Sequence, residues 1–348
     1  MSNKKNKILV TGGTGYIGSH TAIVLSEAGY EVVIVDNLSN SDPGMLDRIA
    51  SITGEKPEFM ELDLRDQNAV AGLFKKHPDI EGIIHFAAKK AVGESVNIPV
   101  TYYHNNLNCL LNLLQEMPEN VQSFIFSSSC TVYGEPDNPP VDENAPVVKP
   151  ASPYGNTKKI CEEILQDYAK TGSSKVISLR YFNPIGAHPS GKIGEMPTGV
   201  PDNLIPYVTQ TAIGKRAKFV VFGDDYNTRD GSCIRDYIHI MDLARAHLIS
   251  LERNLQGQEK SPLEVFNVGT GQGYSVFEVL EAFQRVNNVK VPCEIGERRE
   301  GDVSSIWADP SYANSELGWK AKHNLEEMVS SAWKWEQNLA KEKAVHNE

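Results

Sequence analysis

The chain has 348 residues, 40% of them hydrophobic and 23% charged, which is typical of a globular protein of one large domain or two packed domains. Its formal net charge of -11 argues against nucleic acid as the main partner. No apolar run approaches the roughly 20 residues that span a bilayer, and no apolar segment of signal-peptide length follows the N-terminus, so we expect a cytoplasmic protein without a membrane partner.

The cysteines favour the same compartment. They are five in number, an odd count, and they lie far apart without a CxxC motif. Such a set is typical of reduced thiols rather than of a disulfide framework or a zinc site. We therefore expect no metal centre. The positions are Cys109, Cys130, Cys161, Cys233 and Cys293.

The first half of the chain alternates short β-branched runs with amphipathic helical stretches. The predicted strands are KILVTG, EVVIVD, PEFMELD, GIIHFAA and SFIFSSS, and a sixth, KVISLRYF, follows a helix that begins at Ser152. Near-continuous apolar runs indicate strands covered on both faces, and their alternation with helices predicts a parallel, doubly wound sheet. The sequence thus predicts a Rossmann-like α/β domain over residues 1–182.

The pattern changes after residue 182. A segment rich in proline and glycine, residues 183–203, predicts a long ordered loop, which at this length is usually functional or flexible. It is followed by a predicted helix near 203–214, the strand KFVVFG, the polar stretch DDYNTRDGSCIRDY, the helix HIMDLARAHLISLERN, the strand EVFNVGTG, and helices in SVFEVLEAFQRV and LEEMVSSAWKWEQNLA. We expect a smaller substrate-binding lobe over 183–348, with segments after 230 able to return to the sheet.

A glycine-rich turn follows the first predicted strand. Gly12, Gly15 and Gly18 stand at GxxGxxG spacing where a helix opens, so backbone can approach a pyrophosphate at the helix N-terminus. Asp36 ends the next strand 18 residues after Gly18 and can accept hydrogen bonds from ribose hydroxyls, which favours NAD over NADP. Asp63, at the end of the third strand, can reach the adenine. The alternative is that the glycines only serve turns.

A tyrosine and a lysine stand four residues apart in SPYGNTKK, where the pattern predicts a helix start. Ser152 can cap the first turn and Pro153 suits the first helical position, so Tyr154 and Lys158 share a helix face. Alone, this pattern is more typical of a lysine extending past a half-buried tyrosine. Ser129, however, closes the fifth strand at the sheet edge where ligands bind, so we expect the three polar side chains to converge there.

These three side chains suit proton and hydride transfer. A free tyrosine has a pKa of ~10, too high for a general base at neutral pH. A nearby ammonium and the positive nicotinamide ring of NAD stabilise the phenolate, which lowers that pKa. We expect Tyr154 to take a hydroxyl proton as hydride leaves the same carbon, while Ser129 orients the substrate oxygen.

The motifs TGGTGYIG and Tyr-xxx-Lys with an upstream serine resemble the extended short-chain dehydrogenase/reductase family. Nine further motifs, in order, resemble those of the members that epimerise UDP-galactose and UDP-glucose, and together they cover nearly the whole chain. They are VDNLSNS, HFAAKKAVGESV, YYHNNLN, FIFSSSCTVYGEP, SPYGNTK, LRYFNPIGAHPSG, DNLIPYV, RDYIHIMDLA and RREGDV.

The resemblance implies two sets of binding residues besides the catalytic Ser129, Tyr154 and Lys158. The set around a tightly bound NAD is Gly12, Gly15, Tyr16, Ile17, Gly18, Asp36, Asn37, Asp63, Leu64, Phe86, Lys90, Asn105, Ser129, Tyr154, Lys158 and Tyr181. The set around a UDP-sugar is Ser129, Tyr154, Asn183, Asn203, Leu204, Phe222, Arg235, Arg299, Asp302 and Ile306. Planar guanidinium groups suit diphosphate oxygens, although either arginine alone is more typical of a surface ion pair.

The resemblance also implies a homodimer and a reaction without net redox change. In that reaction the sugar is oxidised at carbon 4, turns about its diphosphate linkage and is reduced from its other face. Three positions depart from the family pattern: Ala88 stands where glycine is frequent, Lys89 is an additional cation, and Cys130, which we interpret as packing, replaces a smaller residue. Ile306 is intermediate in size at a position that governs entry of N-acetylated sugars, so acceptance of UDP-GlcNAc stays open.

Three alternatives remain. A 4,6-dehydratase or a UDP-glucuronate decarboxylase of the same fold needs an acid or base after the catalytic serine, but this chain has no carboxylate there before Glu135. An alcohol dehydrogenase with exchangeable NAD does not require the UDP-sugar motifs. A non-catalytic NAD-sensing protein has no need of the Tyr154 and Lys158 pair.

Overall fold

The computed structural model describes residues 6–299 and 301–345, with side chains to residue 342. The strands are β1 Lys7–Thr11, β2 Glu31–Asp36, β3 Glu58–Glu61, β4 Ile80–His85, β5 Ser123–Ser127, β6 Lys175–Tyr181, β7 Asn183–Ile185, β8 Phe219–Phe222, β9 Ile234–His239, β10 Leu263–Val268, β11 Gly273–Ser275, β12 Cys293–Gly296 and β13 Ser305–Ile306. The helices are α1 Tyr16–Glu27, α2 Met45–Thr53, α3 Gln67–Lys76, α4 Val92–Asn97, α5 Pro99–Glu116, α6 Pro153–Ala169, α7 Leu204–Ala212, α8 Ile240–Leu255, α9 Val276–Asn287 and α10 Leu325–Val345.

Seven parallel strands form the central sheet, in the order β3-β2-β1-β4-β5-β6-β10. Along β1, Ile8 and Val10 pack into one hydrophobic cluster and Leu9 into the other, because successive side chains of a strand point to opposite faces. Helices α1, α2 and α8 pack together, as do α3, α5 and α6. The predicted Rossmann-like doubly wound fold is confirmed.

The edge strand β10 and helix α8 come from the second half of the chain. Strand β10 pairs with β6 over its whole length, and α8 packs against α1. The first six strands and β10 therefore share one sheet although more than 80 residues separate β6 from β10. The pairing of β10 with β6 does not show where one domain ends and the next begins, so the boundary at residue 182 stays a prediction.

The remaining strands belong to two small sheets. Strand β9 pairs with β7, β11 and β13, while β8 pairs with β12. A third hydrophobic cluster joins α7, α9 and α10. The polar stretch at 224–237 contains the first four residues of β9, which its composition did not predict. The pairing partners of β9 lie far away in the sequence, so tertiary contacts rather than local pattern decide that it is a strand.

The helix that carries Tyr154 begins as predicted. The Ser152 hydroxyl accepts a hydrogen bond from the Gly155 backbone N–H at 3.2 Å, and Pro153 occupies the first helical position. Cys161 and Leu165 on the same stripe are buried. This packing holds the first turn of α6 against the residues that follow β5.

Candidate active site

The glycine turn after β1 leaves no room for side chains. Gly12 has a φ of +68°, and a Cβ there would lie 2.8 Å from the backbone nitrogen of Ala87. A Cβ on Gly18 would lie 2.3 Å from the carbonyl oxygen of Gly12. Gly15 is the N-cap of α1 and has no side chain to occupy the helix terminus. This close backbone approach at a helix N-terminus fits the pyrophosphate of a dinucleotide.

Asp36 lies at the carboxyl end of β2, beside the glycine turn. Its carboxylate accepts hydrogen bonds from the backbone N–H groups of Thr14 at 3.2 Å and Leu38 at 3.0 Å, and from the hydroxyl of Ser41 at 3.0 Å. These contacts fix the carboxylate at the edge of the sheet, next to the turn. Its position fits the predicted ribose contact of NAD.

Asp63 and Asn37 lie together at the next strand end. The Asn37 side-chain amide donates to Asp63 at 3.4 Å. The Arg65 guanidinium, bound to Asp63 through two nitrogens, lowers the pKa of that carboxyl to about 2. Asp63 is therefore ionised throughout the neutral range. An acceptor is thus available at the position predicted for adenine recognition.

Lys158 is buried directly behind the site. Its Nζ donates to the backbone carbonyl of Ser127 at 2.6 Å, and it lies 4.9 Å from the centroid of the Phe126 ring. Burial lowers the pKa of Lys158 to about 8, which means that keeping this ammonium charged in the folded protein costs folding free energy. The Ser127 hydroxyl also shares a hydrogen bond with Tyr181. The end of β5 is thus tied to both Lys158 and the end of β6.

Tyr154 and Ser129 meet at this edge of the sheet. Tyr154 is 8% exposed, and the Ser129 hydroxyl lies close enough to it to lower the pKa of the phenol in part. Ser129 is the N-cap of a short 3₁₀ turn, Cys130–Tyr133, and its hydroxyl accepts from the backbone N–H of Thr131 at 3.2 Å. The structure thus brings Ser129, Tyr154 and Lys158 to one edge of the sheet, and their catalytic roles stay a prediction.

Without a cofactor, the phenol of Tyr154 is held in its protonated form. Burial raises its pKa well above the ordinary value, Tyr181 adds to the rise, and the Ser129 hydroxyl lowers it only in part. The Nζ of Lys158 lies 6.0 Å from the centroid of the Tyr154 ring and donates to the Ser127 carbonyl. The expectation that this ammonium and the positive nicotinamide ring together lower the phenol pKa concerns the cofactor-bound protein and stays a prediction.

Several predicted cofactor contacts lie around the same edge. The Phe86 ring packs against His247 with centroids 4.7 Å apart, and the buried Asn105 amide donates to the side chain of Asn106 at 3.0 Å. The Tyr16 hydroxyl donates to the carbonyl of Gly186 at 2.6 Å. Tyr16 thus spans from the start of α1 to the loop after β7.

Other predicted cofactor contacts are engaged elsewhere. Ile17 packs against one of the two hydrophobic clusters that flank the sheet, and Leu64 is buried in the other. Lys90 is half-exposed and its Nζ lies 3.3 Å from the carboxylate of Glu195. Its neighbour Lys89 has its backbone held on both sides by the Asn106 amide.

The two arginines predicted for the diphosphate share one carboxylate. Asp302 accepts from Arg299 through both oxygens, at 3.0 and 2.9 Å, and lies 3.7 Å from Arg235. Arg299 also lies over the Phe222 ring, 5.7 Å from its centroid. These residues come from β8, β9 and the segment before β13. The arrangement forms a fork of two guanidinium groups suited to a diphosphate.

The other predicted substrate residues come from β7, the start of α7 and β13. Asn183 begins β7, and Asn203 and Leu204 stand at the start of α7. Ile306 is buried and packs in a cluster with Cys130, Val132 and Phe182. The interpretation of Cys130 as a packing residue agrees with its place in that cluster. The buried position of Ile306 places its side chain beside the turn that follows Ser129.

A buried polar network supports the serines after β5, and the sequence analysis missed it. Glu162 on α6 accepts from the Ser128 hydroxyl at 2.6 Å and from Arg180 at 2.7 Å. Arg180 in turn donates to the Tyr133 hydroxyl at 3.0 Å, which donates to Asn267 at 2.7 Å. The available signal was an arginine inside the apolar strand KVISLRYF, because a buried charge requires a buried partner.

Asp236 is a second residue that the sequence analysis missed. It is fully buried on β9, next to Arg235, and accepts from the backbone N–H groups of Thr270, Gly271 and Ala308 and from the Thr270 hydroxyl. Burial raises its pKa to about 6 despite these donors. Asp236 thus joins β9 to the loop after β10 and to the segment after β13, which fixes the strand that presents Arg235.

Within residues 6–299 and 301–345, no cluster of three or more His, Cys, Asp or Glu side chains is placed to hold a metal ion. All five cysteines are free thiols, four buried and Cys293 exposed. In the same part of the chain, every helix is too short or too polar to cross a bilayer.

Comparison with known proteins agrees with this geometry. The family model of GDP-mannose 4,6 dehydratase matches residues 9–332. A UDP-glucose 4-epimerase of Bacillus subtilis (strain 168) is 50% identical over 331 residues, which cover 94% of this chain and 96% of that protein.

Solved structures are also similar over almost the whole chain. One is the UDP-glucose-4-epimerase of Stenotrophomonas maltophila, solved with bound NAD and formylated UDP-arabinopyranose. It is 45% identical to this chain, and the two superpose with a TM-score of 0.91 over 97% of this chain and 99% of that one. The UDP-glucose 4-epimerase of Bifidobacterium longum, in complex with NAD+ and UDP, is 44% identical with a TM-score of 0.92 over 96% and 98%. The chain therefore belongs to the extended short-chain dehydrogenase/reductases and, within them, to the UDP-glucose 4-epimerase family.

Proposed function

We propose that the chain interconverts UDP-galactose and UDP-glucose with NAD as a tightly bound cofactor. The observation that carries the proposal is the convergence of Ser129, Tyr154 and buried Lys158 at the sheet edge beside the glycine turn. The paired guanidinium groups of Arg235 and Arg299 supply a site for a diphosphate. Identities near 50% over almost the whole chain support the same activity.

The protein's contribution to the chemistry is proton transfer and positioning. Tyr154 takes the proton of the sugar 4-hydroxyl and returns it to the 4-oxygen when the opposite configuration forms. Ser129 donates to that oxygen through the transfer, and Lys158 keeps the end of β5 positively charged. When bound, NAD supplies the hydride acceptor for carbon 4 and a positive ring, the further charge that the buried phenol requires.

The binding residues divide into a cofactor side and a sugar-nucleotide side. We assign to the cofactor the residues Gly12, Gly15, Tyr16, Ile17, Gly18, Asp36, Asn37, Asp63, Leu64, Phe86, Lys90, Asn105 and Tyr181. We assign to the UDP-sugar the residues Asn183, Asn203, Leu204, Phe222, Arg235, Arg299, Asp302 and Ile306. After the sugar is oxidised and before it is reduced, Arg235 and Arg299 retain the diphosphate, so the 4-keto sugar rotates without leaving the site.

The dehydratase and decarboxylase alternatives are not favoured. Glu135, the first carboxylate after Ser129, accepts from the Ser304 backbone N–H at 3.0 Å and from its hydroxyl at 2.9 Å. These bonds lower its pKa, so the carboxylate is ionised at neutral pH and is not an acid catalyst for water loss. The family model named for a dehydratase describes the shared fold, whereas the relatives of high identity are epimerases.

The chain acts in the cytoplasm, which agrees with five free cysteines. It forms a homodimer through α5 and α6. Two apolar side chains of α5, Val100 and Leu111, are exposed and available for this contact. Residues 1–182, with α8 and β10 returning to them, form the NAD-binding domain, and the rest of 183–348 forms the UDP-sugar lobe.

The decisive experiment uses UDP-galactose alone. The purified chain is expected to carry NAD and to form UDP-glucose without stoichiometric NADH, whereas a dehydrogenase needs added NAD and a sensor forms no product. Tyr154→Phe is expected to lower kcat by about 10²- to 10⁴-fold with the fold and bound NAD retained. Tyr168→Phe on the same helix is the control. An undiminished rate in Tyr154→Phe would refute the assigned chemistry.

A further inference from the structure

One carboxylate oxygen lies between a predicted cofactor residue and a predicted substrate residue. Oε1 of Glu195 accepts from the Asn203 side-chain amide at 2.6 Å and lies 3.3 Å from Nζ of Lys90. Lys90 follows β4 in the nucleotide-binding sheet, and Asn203 is the N-cap of α7 in the other lobe. Glu195 comes from the proline- and glycine-rich loop, at a position that none of the sequence motifs includes.

The backbone at Glu195 is held firmly. The loop closes on itself through an antiparallel bridge between Ala187 and Gly194. The indole N–H of Trp335 donates to the Glu195 carbonyl at 2.9 Å, and a Cβ on Gly194 would lie 2.4 Å from the Trp335 ring. The carboxylate therefore projects from a base of fixed position, rather than from a mobile loop.

One face of α10 provides this base. Four of its side chains contact the loop at helical spacing of three or four residues: Ser331 binds the N–H of Ala187, Lys334 the carbonyl of Pro189, Trp335 the carbonyl of Glu195, and Asn338 the carbonyl of Gly191. Residues so spaced share one side of a helix. A rigid element thus sets where the Glu195 carboxylate lies.

Charge and burial explain why the residue is a carboxylate. The Glu195 side chain is 11% exposed, so its ionised form requires partners, and Lys90 and Asn203 provide a cation and a donor. An amide at this position keeps an acceptor for Asn203 but not a counter-charge for Lys90. An apolar side chain keeps neither.

We propose that Glu195 is a positioning residue that holds Lys90 on the cofactor side and Asn203 on the sugar-nucleotide side of one cleft. This inference rests on the proposed roles of those two residues in binding NAD and the UDP-sugar. Glu195 acts through them and does not itself transfer a proton. Its removal therefore weakens binding on both sides and leaves the bond-breaking step nearly unchanged.

The test measures binding without turnover. In Glu195→Gln, the Kd of UDP measured by calorimetry is expected to rise about threefold to tenfold, and NAD loss on dialysis is expected to become faster by a similar factor. In turnover, KM for UDP-galactose is expected to rise while kcat stays within about twofold. Glu163→Gln, the same change at an exposed site on α6, is the control.

Double-mutant cycles identify the partners. Glu195→Gln is expected to add little to the Kd of UDP in an Asn203→Ala background, and little to NAD loss in a Lys90→Met background. Additive effects, or a Glu195→Gln protein with a lower Tm but unchanged UDP and NAD binding, would overturn the proposal. Glu195→Asp, which keeps the charge, serves if the glutamine variant folds poorly. Because UDP binding and NAD retention need no turnover, this result is separate from whether the wild type epimerises.

Discussion

Lys158 and Tyr154 share a helix face, yet the ammonium of Lys158 lies 6.0 Å from the centroid of the Tyr154 ring and donates to the Ser127 carbonyl instead. The protein thus stores a buried cation near a buried phenol without an ion pair between them. Burial lowers the pKa of Lys158 to about 8 and raises that of Tyr154. At neutral pH the phenol is therefore protonated and the lysine is mostly charged, and the positive ring of a bound NAD would favour the phenolate form of Tyr154.

Replacing Lys158 by methionine is expected to separate stability from activity. A shift of the lysine pKa from 10.5 to about 8 corresponds to a cost of about 3 kcal/mol for holding the charge. The Lys158→Met protein is therefore expected to be at least as resistant to urea as the wild type, while its kcat falls by about 100-fold or more.

The neighbouring Lys159→Met provides the control, since this lysine lies on the same helix outside the site. It is expected to keep both activity and stability. A Lys158→Met protein that unfolds at clearly lower urea concentration would show that the hydrogen bond to Ser127 outweighs the burial cost.

A methyl group on Gly18 is expected to close the dinucleotide turn. Its Cβ would lie 2.3 Å from the Gly12 carbonyl oxygen, a backbone atom that moves only with the whole turn. We expect Gly18→Ala to purify without NAD, measured by absorbance after denaturation, and to lose about 1–3 kcal/mol of unfolding free energy.

Gly72 offers a matched glycine in a helix. A Cβ there meets nothing within 4 Å, so Gly72→Ala is expected to keep NAD and to gain about 0.5–1 kcal/mol. Normal NAD content in Gly18→Ala would show that the turn is more adaptable than its contacts indicate.

The ion pair between Glu162 and Arg180 is expected to be essential for stability. Glu162→Gln leaves a guanidinium with 8% of its side chain exposed and no counter-charge, which costs about 3–5 kcal/mol in urea unfolding. Activity should also fall, because Glu162 accepts from the Ser128 hydroxyl beside the catalytic serine.

The exposed pair of Asp167 and Lys170 on the same helix is the control, with 81% and 68% of their side chains exposed. Asp167→Asn is expected to change stability by less than about 0.5 kcal/mol. Equal effects of the two substitutions would argue against the role given to the buried pair.

Four buried histidines are expected to make the protein sensitive to mild acid. Burial lowers the pKa of His85 and His239 to about 3 and that of His20 and His247 to about 4, from 6.5. Between these values the unfolded chain binds protons that the folded chain does not, so stability falls as pH drops below 6.5. At pH 5.5 each histidine costs about 1 kcal/mol.

The measurement is urea unfolding at pH 7.5 and pH 5.5. Asp236, whose pKa burial raises to about 6, acts in the opposite direction and reduces the net loss. His247→Gln is expected to lose part of the pH dependence, whereas His104→Gln, at an exposed position, should keep all of it. A stability that is equal at both pH values would contradict the prediction.

The sequence by itself predicted the sheet, the glycine turn and the start of α6. Each depends on local chemistry: apolar runs for strands covered on both faces, glycine where backbone must approach backbone, and Ser152 with Pro153 at a helix terminus. The candidates Ser129, Tyr154 and Lys158 could be named because parallel strands end at one edge of a sheet.

Only the tertiary structure decided how those groups interact. The hydrogen bond from Lys158 to Ser127, the Glu162–Arg180 pair and the contacts of Glu195 with Lys90 and Asn203 join residues 8 to 105 positions apart. Burial, which sets the pKa of Tyr154 and Lys158, is likewise a property of the packed chain. The local sequence determines which side chains lie at the sheet edge. Desolvation and pairing with residues distant in the sequence determine their charge and their partners.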